Sequence, residues 1–274
     1  MLARLLTPGV VALVLLVPAA TDAVTTDATG GSAPAAARRG EAGASTAAPA
    51  ARPLAGRTVV LDPGHQLGNA RHPRQINRLV PAGPSRKPCN TTGTSTNAGY
   101  PEATFTWRVA NVARRALQRA GARVVLTRTS NSRRAWGPCV DVRGRAGNRA
   151  HADLMVSIHA DGSYARSARG FHVIAPASLR GWTDDIAAPS RRLALSLRSA
   201  LGRAELRRAN YIAGGDGLDV RADLGTLNLS DVPVAMVELG NMRNSTDARR
   251  MRSKAGRARY AHALVDGVTA YLTR

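Results

Sequence analysis

Thr58-Val59-Val60-Leu61-Asp62-Pro63-Gly64-His65 opens with a short apolar, β-branched run and ends in a turn that carries a histidine. Val and Ile favour strands, and Pro-Gly punctuates them, so Thr58 to Leu61 is read as a buried strand with His65 at its carboxyl end. The same arrangement returns at Leu154-Met155-Val156-Ser157-Ile158-His159-Ala160-Asp161. Further apolar runs occupy Arg123 to Thr127, Phe171 to Ala175 and Val234 to Val237. Between the strands, Phe105, Val109, Val112, Ala113, Ala116 and Leu117 recur at helical spacing and stop at Gly121, which predicts a helix beginning near Pro101 and Glu102. Helices are also expected at Arg143 to His151, Pro189 to Leu201 and Ala258 to Leu272, with stripes such as Leu193, Leu197 and Leu201 facing the core. Strands alternating with amphipathic helices define an α/β fold: one domain with a twisted, mostly parallel central sheet flanked by helices. Gln66 to Gly99, rich in Pro, Gly, Asn, Ser and Thr, is too long for an ordinary connection; it reads as a functional loop or an insertion with its own hairpin.

Composition narrows the class. Arg4, the apolar run Val10 to Val17 and then Pro18-Ala19-Ala20 follow the order of a secretory leader, and the run is far short of the ~20 residues a membrane span needs. Residues 1–23 are therefore read as a signal peptide, and 24–54, almost without large apolar side chains, as a disordered Ala/Thr/Pro-rich tether. The catalytic domain is expected at 55–274, in a secreted protein of the periplasmic or cell-wall space, with no transmembrane segment in the mature chain and a monomeric state. In an exported chain the only two cysteines, Cys89 and Cys139, are expected to form a disulfide, the alternative being two buried free thiols. Of 39 basic and 18 acidic side chains, four and three precede residue 55, so the domain carries a net +20. Such a charge suits a polyanionic partner. Export favours an anionic wall over nucleic acid, and the chain's ten aromatic residues form no clustered stacking platform.

Four side chains carry the chemistry. His65 and His159 end two strands, at the sheet edge where open α/β folds bind ligands. If the strands are neighbours, both imidazoles reach one crevice, with Asp62 or Asp161 as acceptor for a ring N–H. Glu102, in the first turn of the long helix, is explained by the helix dipole alone. Aimed at the same crevice, it completes a His-His-Glu set of the kind that holds catalytic zinc. Glu238, at the end of Val234-Ala235-Met236-Val237, is costly on an apolar strand unless it is paired or employed. Desolvation there would suit it to general-base work, whereas an ion pair with Arg243 would make it structural. Intervals of 37, 57 and 79 residues mean that only a fold brings the four together.

The ordered set Leu61 to His65, Glu102, Val-Val-Leu-Thr-Arg at 124 to 128, Arg143 to Asn148 with Ala152-Asp153, Ser157 to Asp161, and Val237 to Asn241 resembles the zinc-dependent N-acetylmuramoyl-L-alanine amidases over about Arg57 to Arg274. The resemblance implies one Zn²⁺ held by His65, Glu102 and His159, with Glu238 as the catalytic carboxylate acting on peptidoglycan or muropeptide fragments. Gln66-Leu67-Gly68 and the insertion carrying Cys89 depart from the common pattern. Rival expectations are a zinc peptidase or deacetylase acting on another wall bond, and a non-catalytic cationic wall-binding module. No helix between His159 and Glu238 reads as an active-site plug; the helical pattern at Arg191 to Arg208 reads as a core helix.

Overall fold

The structure, a computed structural model, describes residues 52–274. The leader, and the tether up to residue 51, lie outside the described residues. Leu54, placed in the tether by the sequence reading, is fully buried in the main core, and its N–H donates to Ala120 O (2.9 Å), so the packed domain takes it in.

Eight strands and eight α-helices follow in the order β1 (Thr58–Pro63), α1 (Pro73–Asn77), β2 (Leu79–Pro81), β3 (Arg86–Pro88), α2 (Glu102–Arg119), β4 (Arg123–Leu126), α3 (Val140–Gly144), α4 (Ala146–Ala150), β5 (Leu154–Asp161), β6 (His172–Pro176), α5 (Ala187–Arg203), β7 (Leu218–Arg221), α6 (Gly225–Asn228), β8 (Val234–Asn241), α7 (Ser245–Arg252) and α8 (Lys254–Leu272). Six strands form the central sheet in the order β4-β1-β5-β8-β6-β7. The first four are parallel; β6 runs antiparallel to β8 and β7 follows β6, so the sheet is mostly parallel as expected. The insertion between His65 and Glu102 does contain a hairpin, β2 with β3.

Alternation along the strands splits the core in two. Val59, Leu61, Leu154, Val156, Ala235 and Val237 face α2, α5 and α8, where Phe105, Leu117, Leu197, Tyr260 and Leu264 complete the main cluster. Burying each such large side chain stabilises the fold by about 1.5–3 kcal/mol. Phe105 meets Tyr260 edge-on at 5.6 Å. Helices α5 and α8 approach closely because Gly267 has no side chain: a Cβ there would lie 2.9 Å from the Leu197 backbone. Val60, Met155, Ile174, Val234 and Met236 fill the thinner opposite layer beneath α4 and α6, with Ala146 and Leu227.

One further expectation needs correction, and some elements had not been expected. The single helix expected at Arg143 to His151 is two short ones, broken at Arg145 (ψ 4°) and ended by His151 in the left-handed region (φ 47°). Strand β7 was not expected at all, since Leu-Asp-Val-Arg on a sheet edge leaves three of its four residues partly or fully exposed and offers no apolar run. Helix α7 was also missed; it is almost all polar, and the Asn244 side chain caps it by accepting from Thr246 N and Asp247 N. No helix of the described residues is long and apolar enough to cross a membrane.

Candidate active site

The turn after β1 is held by buried ions. Asp62 accepts from Ser157 Oγ (2.7 Å), Thr127 Oγ1 and Arg143 Nη1 (both 2.5 Å). Arg143 also donates to the carbonyls of Pro63 (2.9 Å), His65 (2.7 Å), Gly137 (3.2 Å) and Pro138 (2.9 Å). A second buried guanidinium, Arg128, joins Pro63 O (2.9 Å) to Ala103 O (2.7 Å), tying the turn to the start of α2. Burial acts to raise the Asp62 pKa, but Arg143, Thr127 and Ser157 outweigh it and hold the carboxyl below its usual range. Neither Asp62 nor Asp161 accepts a ring N–H from His65 or His159, as the sequence had suggested. Asp62 is occupied by Arg143, and Asp161 Oδ2 accepts from the Tyr211 hydroxyl (2.9 Å).

Within this clamp His65 sits at φ 56°, a left-handed conformation that costs a non-glycine residue about 1 kcal/mol or more and swings the side chain out of the strand direction. Its Nδ1 lies 3.1 Å from Thr91 O, a partner for a ring N–H, and its Nε2 faces Glu102. Strands β1 and β5 are parallel neighbours with Pro63 opposite Ile158, which brings the His159 ring next to that of His65, 4.8 Å between centroids. Gly64 makes room for it: a Cβ at Gly64 would collide with the His159 ring.

Glu102, the first residue of α2, reaches the same point from above the sheet. Its Oε1 lies 3.2 Å from His65 Nε2 and 3.0 Å from His159 Nδ1, and accepts from Ala160 N (3.1 Å); Oε2 accepts from Thr94 N (2.9 Å). Burial opposes charge on this carboxyl, but the two imidazoles override it and hold its pKa far down; Glu102 in turn raises that of His65 against the effect of burial. The three donor atoms lie within 4.8 Å of one another. Four-coordinate zinc with bonds of about 2.0–2.1 Å has tetrahedral edges of about 3.3 Å. Two imidazole nitrogens and a carboxylate oxygen at these spacings therefore form a cluster that can hold a metal ion.

Glu238 stands beside this cluster. On β8 it is the register partner of His159 on one side and of His172, on β6, on the other. Its Oε2 is buried without a hydrogen-bond partner, and burial, then Asp161 and Glu102, push its pKa well above that of an ordinary glutamate. The ion pair with Arg243 is not formed. Arg243 Nη1 donates to Asn97 Oδ1 (3.2 Å), and its guanidinium lies over the Tyr164 ring at 4.7 Å. All four residues line one open cleft of ≈ 400 Å³, with Asp161 and Arg143. Helix α5 packs in the core through Leu193, Leu197 and Leu201 and does not line this cleft. The disulfide Cys89–Cys139 is formed, and Val140, next to it, lines the cleft mouth and donates its N–H to Cys89 O (2.7 Å). The sequence reading did not single out Tyr211 or His172 beside Glu238. Tyr211 lies in an irregular loop, and His172 read as one more residue of a buried strand.

A mostly parallel α/β sheet with two histidines and a glutamate that could hold a metal ion, beside an unpaired buried carboxylate in one cleft, has the make-up of a hydrolase site. A profile of the N-acetylmuramoyl-L-alanine amidases matches residues 59–270. An N-acetylmuramoyl-L-alanine amidase of Mycobacterium tuberculosis is 44% identical over 220 residues, covering 80% of this chain and 88% of that one. The solved amidases Ami1 of Mycobacterium smegmatis (39% identity, TM-score 0.74, 80% of this chain and 98% of that one) and of Mycobacterium abscessus (42%, 0.74, 80% and 100%) share the fold. The chain belongs to the N-acetylmuramoyl-L-alanine amidase family.

Proposed function

We propose that the protein hydrolyses the amide bond between N-acetylmuramic acid and the L-alanine of the peptidoglycan stem peptide, using zinc held by His65, Glu102 and His159 and a proton carried by Glu238. The observation that carries this reading is a buried, unpaired carboxylate beside a three-donor cluster in one open cleft. Held by His65, Glu102 and His159, zinc would supply Lewis acidity and favour a hydroxide nucleophile near neutral pH. Glu238 takes a proton from the attacking water and returns it to the leaving alanine nitrogen, and the raised pKa suits it to both steps. His65 and His159 would offer one imidazole nitrogen each, and Glu102 a carboxylate oxygen. Hydrolysis needs no covalent intermediate.

The protein works as a monomer in the periplasmic or cell-wall space. A disulfide is at home in that oxidising compartment, and a domain carrying a net +20 is drawn to an anionic wall. Purified muropeptides, digested with and without chelator and read by mass spectrometry, test the reaction. The expected products are intact stem peptides with a free N-terminal alanine, lost with chelator. Cleavage within the peptide, or loss of acetyl groups, would show a peptidase or deacetylase. Glu238→Gln is expected to retain zinc and lose hydrolysis, and His159→Ala to lose both. A metal-loaded Glu238→Ala protein that still cleaves would defeat the assignment.

A further inference from the structure

Asp161 holds a fixed negative charge in the cleft that the steps above do not use. It lies two residues beyond His159 on β5, and both side chains line the cleft. Between these two residues the β5–β8 register shifts, leaving Asp161 opposite Asn241, and such a bulge re-aims the side chains next to it. The Asp161 side chain is 33% exposed and lines the cleft with Glu238. Tyr211, from the loop after α5, donates its hydroxyl to Oδ2 (2.9 Å), which leaves Oδ1 without a protein donor among the described residues. Burial first, then Asp161, push the Tyr211 pKa far up, so the phenol remains a donor. His172, 3% exposed, packs edge-on against the Tyr211 ring at 6.4 Å, with Nδ1 3.9 Å from Asp161 Oδ2. Burial lowers the His172 pKa, which disfavours a charged imidazole beside Asp161.

The chemistry at the neighbouring Glu238 creates a group that needs such a charge. When the C–N bond breaks, the nitrogen takes the proton from Glu238 and becomes a primary amine, and the proton that the new carboxylic acid releases to solvent is balanced by the one that converts the amine to an ammonium. We propose that Asp161, oriented by Tyr211, is a further catalytic residue that accepts a hydrogen bond from the N–H of the leaving alanine nitrogen and pairs with the ammonium it becomes. Asp161 transfers no proton; Tyr211 is its positioning residue. The inference rests on the reaction proposed above.

Asp161→Asn keeps the size of the side chain and removes its charge. With zinc content unchanged, kcat is expected to fall roughly ten- to hundredfold with little change in KM, the scale of a hydrogen bond to a charged group. Inhibition by the free stem peptide, whose N-terminus is an ammonium, should weaken by a similar factor. The same peptide N-acetylated, and so uncharged there, should inhibit wild type and variant alike. Tyr211→Phe should move both readouts in the same direction by less, and serves if Asp161→Asn does not fold. Wild-type kcat in Asp161→Asn, or equal weakening for both peptides, overturns the proposal. Calorimetric binding of the two peptides reads the ammonium contact without turnover, so a wild-type enzyme that failed to cleave muropeptides would sink the reaction and still leave this contact tested.

Discussion

Replacing Arg143 by Met is expected to damage the protein in two separable ways. The guanidinium is the only full positive charge bonded to Asp62 among the described residues, and both side chains are almost completely buried. Removing it strands a charge in the core, a loss of about 3–5 kcal/mol. For a domain of this size, that corresponds to a melting temperature lower by roughly 6–20 °C. Urea and thermal unfolding of the zinc-free protein measure this part. Adding Asp62→Asn removes the stranded charge, while Thr127 and Ser157 can still bond the amide, so the double variant should recover about half of the loss or more. The second effect should not recover. The carbonyls of Pro63 and His65 lose their Arg143 donor in both variants, and the left-handed turn that aims His65 loosens, so zinc affinity should stay low in the double variant. A single variant less than about 1 kcal/mol below wild type, or a double variant less stable than the single, would refute the reasoning.

Asp62 also sets an acid limit. Its carboxyl is held below the usual range, so its contribution is fully present above the unfolded value near ~3.9 and is lost as pH falls through the lower folded value. The stability gap between wild type and Asp62→Asn should stay constant from pH 7 to about 5 and close only below about 4; a gap that closes near neutrality contradicts this. Gly64→Ala should leave the fold nearly intact but displace the His159 ring, weakening zinc binding roughly ten- to hundredfold by titration, and wild-type affinity would show that the ring can yield. Because Cys89 and Cys139 close a loop of 50 residues, the Cys89→Ser/Cys139→Ser protein should lose up to about 4 kcal/mol in urea melts, with reduced wild type behaving alike.

The sequence was most informative where one physical rule dominated. Strands β1, β5 and β8 are buried on both faces, so their apolar runs stand out, and the polar residues that interrupt or follow those runs, His65, His159 and Glu238, stand out by contrast. Glu102 was legible because a helix start at the ligand-binding edge has one place to point. What pairs with what was not legible. Asp62 looked as available to a histidine as to an arginine, and only the fold brings Arg143 across 81 residues to claim it. Arg243 sits five residues from Glu238 yet turns to Asn97 and Tyr164. Tyr211 reaches Asp161 from an irregular loop that no periodicity marks. Edge strand β7 and the charged helix α7 bury too little to leave a pattern.

The order β4-β1-β5-β8-β6-β7 also constrains how the enzyme comes to life. The strand bearing Glu238 is the last of the eight to be synthesised, yet it slots between β5 and β6, which flank it in the finished sheet. Until that insertion, a partly folded chain holds His65, Glu102 and His159 without Glu238 beside them, and with a gap where the sheet should close. Such long-range closure is slow, since the entropy of a large loop is lost before the strand gains its partners. The complete cleft therefore exists only once β8 has inserted, so activity should appear together with closure of the sheet.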